Sequence, residues 1–485
     1  MPLKDELDIL FNPKSVAVVG ASANPQGSFG GGTSFLARLQ RIGFPGKLYP
    51  VNPKGGIVLG LKAYPDLQSI PDPVDLVIIA VRADRVPQVL EDCISAGTKN
   101  IHIFSSGFSE TGEEAGLQLG RQIIEIIQRG SLNVVGPNCM GIWVPGSKLT
   151  GWGAKPDGTG PLAFISQSGG HGEIITSYAQ GLGVYFSKLV SFGNASGLQV
   201  ADYLEYLRDD PDTGIIALYL EGIKEGNRVM QLVKEINRTK PVIVWKGGLT
   251  DSGSRAVSSH TGSMAGEKKI WDGFFAQTGA VRVNSLEEIV DVVLAFLHLT
   301  PPRGRRALLL GGGGGNSVAY ADICSRQGLE VPPISDKTRE ELNTFIGLAG
   351  NSTRNPLDVW DVQGEIDLFR RAMTLAVADP AIDLAIVDRM VGDFFEDGDS
   401  DGAKEKRQHD INDLIIDFAK NNPDNKPLVV TINMYGNDRY SAALAARIRR
   451  VFTAAGVPAY PSPESAARAL SRFIQYHEFQ TGNTG

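Results

Sequence analysis

The stretch Ser15-Val16-Ala17-Val18-Val19-Gly20-Ala21-Ser22-Ala23-Asn24-Pro25-Gln26-Gly27-Ser28-Phe29-Gly30 decides the fold. Val16 to Val19 run apolar without alternation and stop at a glycine, the pattern of a strand buried on both faces of a parallel sheet. The residues after Gly20 are small, polar and glycine-rich, a turn opening towards a helix. Outward from it, an amphipathic stretch spans 6–11. Further apolar runs fall at 48–51, 76–81, 100–104 and 132–135, with helix-like stretches at 85–96 and 113–129. Strands alternating with helices predict a doubly wound parallel sheet.

The rhythm restarts twice. Residues 162–165 read as a strand, 172–179 as a helix, and 185–190, 215–220 and 242–245 as strands. Helices fit 200–209, 228–237 and 286–299. Pro301-Pro302-Arg303-Gly304-Arg305-Arg306 marks a boundary. Beyond it a strand at 307–310 runs into Gly311 to Gly315, with later strands at 384–387 and 428–432 and helices at 441–455 and 463–473. Asn138 to Gly160, glycines and prolines among polar residues, reads as a linker. The acidic stretch 396–401 reads as a solvated loop, and the tail after His477 as frayed. Three α/β domains are expected, 1–145, 146–302 and 303–485, one architecture used three times.

Composition narrows the function. In 485 residues, 47 basic and 54 acidic side chains leave a net charge of −7, which disfavours a broad nucleic-acid surface. No apolar run reaches the ~18 residues of a membrane helix, and the start, MPLKDELDILF, lacks a signal-peptide pattern; a soluble, cytoplasmic protein is expected. Cys93, Cys139 and Cys324 are too scattered for a disulfide framework or a CxxC metal site. Glycine is the outlier at 57 residues, which suggests tight turns where backbone comes close to a ligand.

Three glycine-rich turns follow buried strands. Free N–H groups at the Gly20–Gly30 turn, with the dipole of the helix it opens, favour a phosphate. Ala21 and Ser22 stand where a dinucleotide fingerprint would put its second glycine, and Lys54, in Asn52-Pro53-Lys54, stands near where that site would place an acid. A ligand carrying an added phosphate fits better; the plainer alternative is a structural turn with a surface lysine. The second turn, Ser166-Gln167-Ser168-Gly169-Gly170, suits phosphate as well, against the alternative of an ordinary serine cap. His171 follows one step inside; a charged imidazole is disfavoured there, so it reads as neutral or structural. The third turn, Gly311 to Gly315 then Asn316-Ser317, costs so much backbone entropy that we read it as a second helix start aimed at an anion, the alternative being a flexible loop.

His260 lies in Ser258-Ser259-His260-Thr261-Gly262-Ser263. Of the 20 residues from Gly247 to Gly266, 14 are Gly, Ala, Ser or Thr, which leaves His260 no apolar face to pack against. A neutral imidazole can attack phosphorus and release it again, and so shuttle a phosphoryl group; the competing reading is a structural histidine. Glu221 ends the run 215–220, on the ligand-binding edge of an open sheet. There it can hold one ring nitrogen of His260 and leave the other nucleophilic, or serve merely as a surface cap.

Gly20-Ala21-Ser22, Asn52-Pro53-Lys54, Ser166-Gln167-Ser168-Gly169-Gly170, Glu221 and Ser259-His260-Thr261-Gly262-Ser263, in this order over about residues 5–475, resemble the NDP-forming acyl-CoA synthetases, the superfamily of succinyl-CoA synthetase. The layout is similar to the alpha part of the ADP-forming acetyl-CoA synthetases. The resemblance implies a Rossmann-like CoA-binding domain, with Gly20, Ser22, Lys54, Ser106 and Gly107 around CoA, followed by two flavodoxin-like ligase domains. It implies a phosphohistidine at His260 supported by Glu221. Its phosphate would be stabilised by the helix headed by Ser168 and Gly169 and by a second headed by Gly313 and Gly314. Asn355-Pro356-Leu357-Asp358 also resembles a family motif. The implied reaction interconverts acyl-CoA, ADP and phosphate with acid, CoA and ATP. No segment is left for the ATP-grasp module that binds ATP or ADP and Mg²⁺, so a separate beta subunit is expected. A regulatory CoA-responsive protein is the competing class; an NAD-dependent dehydrogenase would want an acid near position 54. Trp143, Trp152, Tyr185 and Phe192 are candidates for lining an acyl pocket, with core packing the alternative.

Overall fold

Every residue of β1 (Ser15–Val19) is buried in the computed structural model of the chain, which describes residues 3–23, 31–152, 154–255, 268–311, 313–359, 362, 365–391, 401–434, 436 and 438–482. An unbroken apolar run can sit only at the centre of a sheet covered on both faces, and β1 does. It lies between β2 (Lys47–Val51) and, past the small hairpin of β3 (Ile57–Val58) and β4 (Leu61–Lys62), β5 (Leu76–Ile79). With β6 (Asn100–Ile103) and β7 (Asn133–Val135) the order is β2-β1-β5-β6-β7, all parallel. Val19 pairs with both Val51 and Ile79. The three strands therefore end level, and Gly20, Asn52 and Ala80 leave the sheet side by side.

The second sheet contains β8 (Gly141–Val144), β9 (Leu149–Thr150), β10 (Leu162–Ser166), β11 (Phe186–Ser191), β12 (Ile215–Leu220), β13 (Val242–Lys246) and β14 (Val281–Val283), in the order β14-β13-β12-β10-β11-β8-β9. β10 to β14 are parallel; β8 and β9 add antiparallel at the edge. The third holds β15 (Ala307–Leu310), β16 (Ser352–Thr353), β17 (Leu357–Asp358), β18 (Leu384–Val391), β19 (Leu428–Met434) and β20 (Ala459–Tyr460), ordered β16-β17-β15-β18-β19-β20. In all three sheets the leading parallel strand has the second on one side and the third on the other. Each sheet therefore has its topological switch point, the place where ligands bind in such folds, beside the turn that follows that strand. The expected doubly wound α/β class is what the chain adopts.

The chain divides into two compact units, Met1–Gln180 with Val184–Leu286, and Gly181–Gly183 with Glu287–Gly485. The first contains two sheets and the helices α1 (Leu3–Phe11), α2 (Gly31–Arg41), α3 (Val86–Ser95), α4 (Glu114–Gly130), α5 (Gly169–Gln180), α6 (Val200–Arg208), α7 (Gly226–Ile236) and α8 (Lys268–Thr278). One core runs through both sheets: Leu10, Phe11 and Phe35 join Ile142, Val190 and Tyr203, each side chain contributing roughly 1.5–3 kcal/mol by burial. Polar ties reinforce it. The Tyr206 hydroxyl donates to Asp8 at 2.7 Å, and the Arg38 guanidinium to the Gly151 carbonyl at 2.7 Å. The second unit carries the third sheet, α9 (Leu286–His298), α10 (Gly313–Arg326) and later helices, around Leu308, Phe369, Val387, Val430 and Phe452.

Two expectations are corrected. Asn138–Gly160 is no linker: it contains β8 and β9, with Trp143 and Trp152 fully buried. Nor does the tail fray at His477, since a helix runs through Pro463–Thr481 and closes on Gly482. The acidic stretch lies almost wholly outside the described residues. Among those described, no helix is long and apolar enough to cross a membrane.

Candidate functional site

At the first switch point Gly20 takes φ +97°, and a Cβ there would overlap the Ala80 carbonyl. A Cβ on Gly32 would come within 2.8 Å of the Ala21 nitrogen, so α2 starts hard against the turn. Thr33 closes it: its hydroxyl accepts from Ser22 N at 2.9 Å and donates to Ser22 O at 2.8 Å. Asn52 donates to Ala21 O at 2.7 Å and accepts from Lys54 N at 3.0 Å, which brings the exposed Lys54 beside the same turn. Gly20, Ser22 and Lys54 thus gather on one sheet edge, although the turn's later residues, 24–30, fall outside the description. After β6, Ser106 is exposed, whereas the Gly107 N–H already donates to the Glu110 carboxylate at 2.6 Å.

At the second switch point, between β10 and β12, the expected serines divide their work. Ser166 is fully buried, and its hydroxyl is spent on Ser168, donating to O at 2.7 Å and accepting from N at 3.1 Å. Ser166 shapes the turn. The Ser168 hydroxyl instead accepts from His171 N at 3.4 Å, and Gly169 and Gly170 open α5. A Cβ on Gly169 would overlap Met140, but among the described residues one on Gly170 would meet nothing closer than Ser168 Oγ at 4.0 Å. The first turn of α5 therefore faces open space with its positive dipole end, where an anion is favoured. That space is a cavity of about 590 Å³ bordered by Ser106, Met140, Gln167, Ser168, Gly169 and Gly170 among others. Ser106, from the first sheet, and the α5 head, from the second, share it; Gly20, Ser22, Lys54, Gly107, Ser166 and Glu221 do not border it.

Glu221, just past β12, is 4 % exposed. Its peptide N–H donates to the side-chain oxygen of Gln167, which also accepts from Gly222 N at 3.0 Å. Its carbonyl takes a bond from Lys246 Nζ at 2.8 Å, and its carboxylate one from the Tyr219 hydroxyl at 3.2 Å. Burial holds the Lys246 pKa down at about 8 and pushes the Tyr219 hydroxyl up. Lys246 also donates to the Gly247 carbonyl and lies 5.4 Å from the centre of the Trp271 ring. It stands at the root of the small-residue stretch whose residues 256–267, His260 among them, lie outside the description. His171 packs its ring against Tyr219 and Trp245, with centroids 4.3 and 4.7 Å apart, a structural setting as expected.

In the second unit, Gly313 and Gly314 open α10. Among the described residues a Cβ on Gly313 would meet nothing within 4 Å, and one on Gly314 only Asp358 Oδ2 at 4.0 Å. Asp358, the last residue of β17, is buried, and so is Asp388, within β18. The Asp388 carboxylate accepts from Thr431 Oγ1 at 2.7 Å, and burial raises its pKa to about 6. Three of the four aromatic residues proposed for an acyl pocket are core, Trp143, Trp152 and Phe192, with Trp152 against Gly172 and Trp143 edge-on to Phe186, while Tyr185 is half-buried. The three cysteines are buried and free, with thiols made less acidic by burial. Gln167 and Lys246 were missed from sequence. Gln167 stood inside a quoted motif, but its bonds to residues 54 and 55 positions away leave no local signal.

Residues 14–145 match the CoA binding domain family, and residues 159–296 the succinyl-CoA ligase like flavodoxin domain. The chain is 35 % identical over 472 residues to the alpha subunit of acetate–CoA ligase [ADP-forming] II of Pyrococcus furiosus, covering 97 % of both chains. To an acetate–CoA ligase [ADP-forming] of Methanocaldococcus jannaschii it is 36 % identical over 355 residues, 73 % of this chain and 49 % of that one. A solved acetyl-coenzyme A synthetase 1 of Ca. Korarchaeum cryptofilum, described with phosphate and ADP, superposes with a TM-score of 0.82 at 31 % identity and 98 % coverage of both chains.

Proposed function

The chain belongs to the family of ADP-forming acid–CoA ligase alpha subunits, and we propose that it carries the phosphoryl group of that reaction on His260. Acyl-CoA and phosphate give an acyl phosphate and free CoA. His260, its ring oriented by Glu221, attacks the phosphorus and displaces the carboxylic acid. Phospho-His260 then transfers the group to a nucleoside diphosphate held with Mg²⁺ by a separate ATP-grasp beta subunit. Every step is reversible, so acyl-CoA synthesis runs the other way.

The chain's own residues supply positioning and charge. Gly20, Ser22 and Lys54 form the edge proposed for CoA, with Lys54 the cation for a phosphate; Ser106 lies where that edge meets the cavity. The Ser168 hydroxyl and the Gly169 and Gly170 N–H groups, with the α5 dipole, offer the phosphoryl group preorganised donors that need no reorganisation during transfer. Gly313 and Gly314 offer a second seat of the same kind. The observation that carries this reading is the shared cavity, which places Ser106 from the proposed CoA-binding sheet beside the α5 head of the ligase sheet.

The test is reconstitution. The chain is co-expressed with a beta subunit and given labelled ATP, Mg²⁺, CoA and a panel of carboxylic acids. Acyl-CoA formation, together with acid-labile, base-stable label that H260A abolishes, supports the reading. CoA binding without label or turnover supports the regulatory alternative.

A further inference from the structure

Gln167 sits between β10 and α5, 8 % exposed, on the wall of the cavity. Its side-chain amide has an oxygen that only accepts and a nitrogen that only donates. Two backbone N–H groups, of Glu221 and Gly222, point at one end of it. That end must be the oxygen, which fixes the flip. The NH₂ is the other end, and among the described residues it donates to none. That NH₂ is therefore left to donate into the cavity, on the wall beside the head of α5.

We infer that Gln167 is a phosphate-binding residue of this site, its NH₂ donating to an oxygen of the phosphoryl group seated at the start of α5. The inference rests on the reading above and extends it to a residue outside the motif's glycines and serines. The chemistry suits the task. A neutral amide binds a phosphate oxygen directionally without adding the charge of a lysine or arginine, which would hold a group that has to leave again on the histidine. The same side chain ties the phosphate seat to the Glu221 peptide, so that phosphate site and proposed catalytic carboxylate keep one spacing.

Q167E separates the two ends of the amide. The carboxylate still accepts from Glu221 and Gly222, so the fold is kept, but it replaces the donor with a repelling oxygen. In the reconstituted complex, run towards ATP from acyl-CoA, ADP and phosphate, Q167E is expected to raise the KM for phosphate at least fivefold with the KM for acyl-CoA within twofold of wild type. A smaller rise in phosphate KM overturns the inference. Should Q167E melt well below the wild-type protein, Q167A is read against the same threshold. An active wild type with an unchanged Q167E defeats this inference alone. A wild-type complex that makes no ATP from any acyl-CoA defeats the ligase reading, and the inference with it.

Discussion

The turns after β1 and β10 occupy equivalent places in two sheets wound the same way, yet their glycines answer to different neighbours. Gly20 is pinned by protein: positive φ, and the Ala80 carbonyl where a Cβ would stand. Among the described residues nothing pins Gly170, whose nearest such neighbour is Ser168 Oγ at 4.0 Å. Gly313 and Gly314 resemble Gly170 in this respect. One glycine is there so that strand and helix can approach; the others keep space clear in front of a helix dipole. The distinction separates residues whose loss costs the fold from residues whose loss costs a ligand.

Substitutions can break or sharpen that contrast. The largest effect belongs to Glu221: E221Q keeps the shape but removes the charge facing the proposed imidazole, and turnover of the complex should fall about 10²–10⁴-fold with the melting temperature nearly unchanged. Gly20→Ala comes next, on stability. Strained backbone and overpacking against Ala80 should together cost about 2–4 kcal/mol, read as an earlier midpoint in chemical denaturation. Gly170→Ala should do the reverse, shifting stability by less than ~1 kcal/mol while weakening phosphate use several-fold. Equal destabilisation by the two glycine substitutions would erase the contrast.

A further effect, on stability alone, concerns pH. Burial raises the folded-state pKa of Asp388 to about 6 from an ordinary 3.8. Between these values the folded protein binds more protons than the unfolded chain, so this group's contribution is present below pH 3.8 and lost as pH rises through 6. D388N should flatten that part of the stability profile by about 1 kcal/mol or more, measured by denaturation from pH 4 to 7.

Much of the fold was legible because unbroken apolar runs announce parallel strands: 215–220 and 307–310 match β12 and β15 residue for residue. Gly141–Val144 escaped because four residues carry too little period, and because β8 owes its existence to antiparallel pairing with β11 some fifty residues later. Trp143 and Trp152 looked like pocket material for the same reason: their burial comes from packing across the sheet, which no local window contains. In the site, residue types at a strand's end placed Ser168, Gly169, Gly170 and Glu221 at one switch point. What a side chain does once there was not legible. Ser166 and Ser168 look alike in sequence, yet one hydroxyl is consumed inside the turn and the other stands at the helix start. Gln167 acquires its orientation from the peptide of a strand end far along the chain.

The account depends most on phosphorus resting on His260. The complex with its beta subunit, incubated with labelled ATP and Mg²⁺, then digested under basic conditions and mapped by mass spectrometry, addresses this directly. One phosphoryl group is expected on the peptide containing His260, discharged on adding CoA and the carboxylic acid substrate. Acyl-CoA formed at full rate by an H260A complex that never takes up phosphate would contradict it.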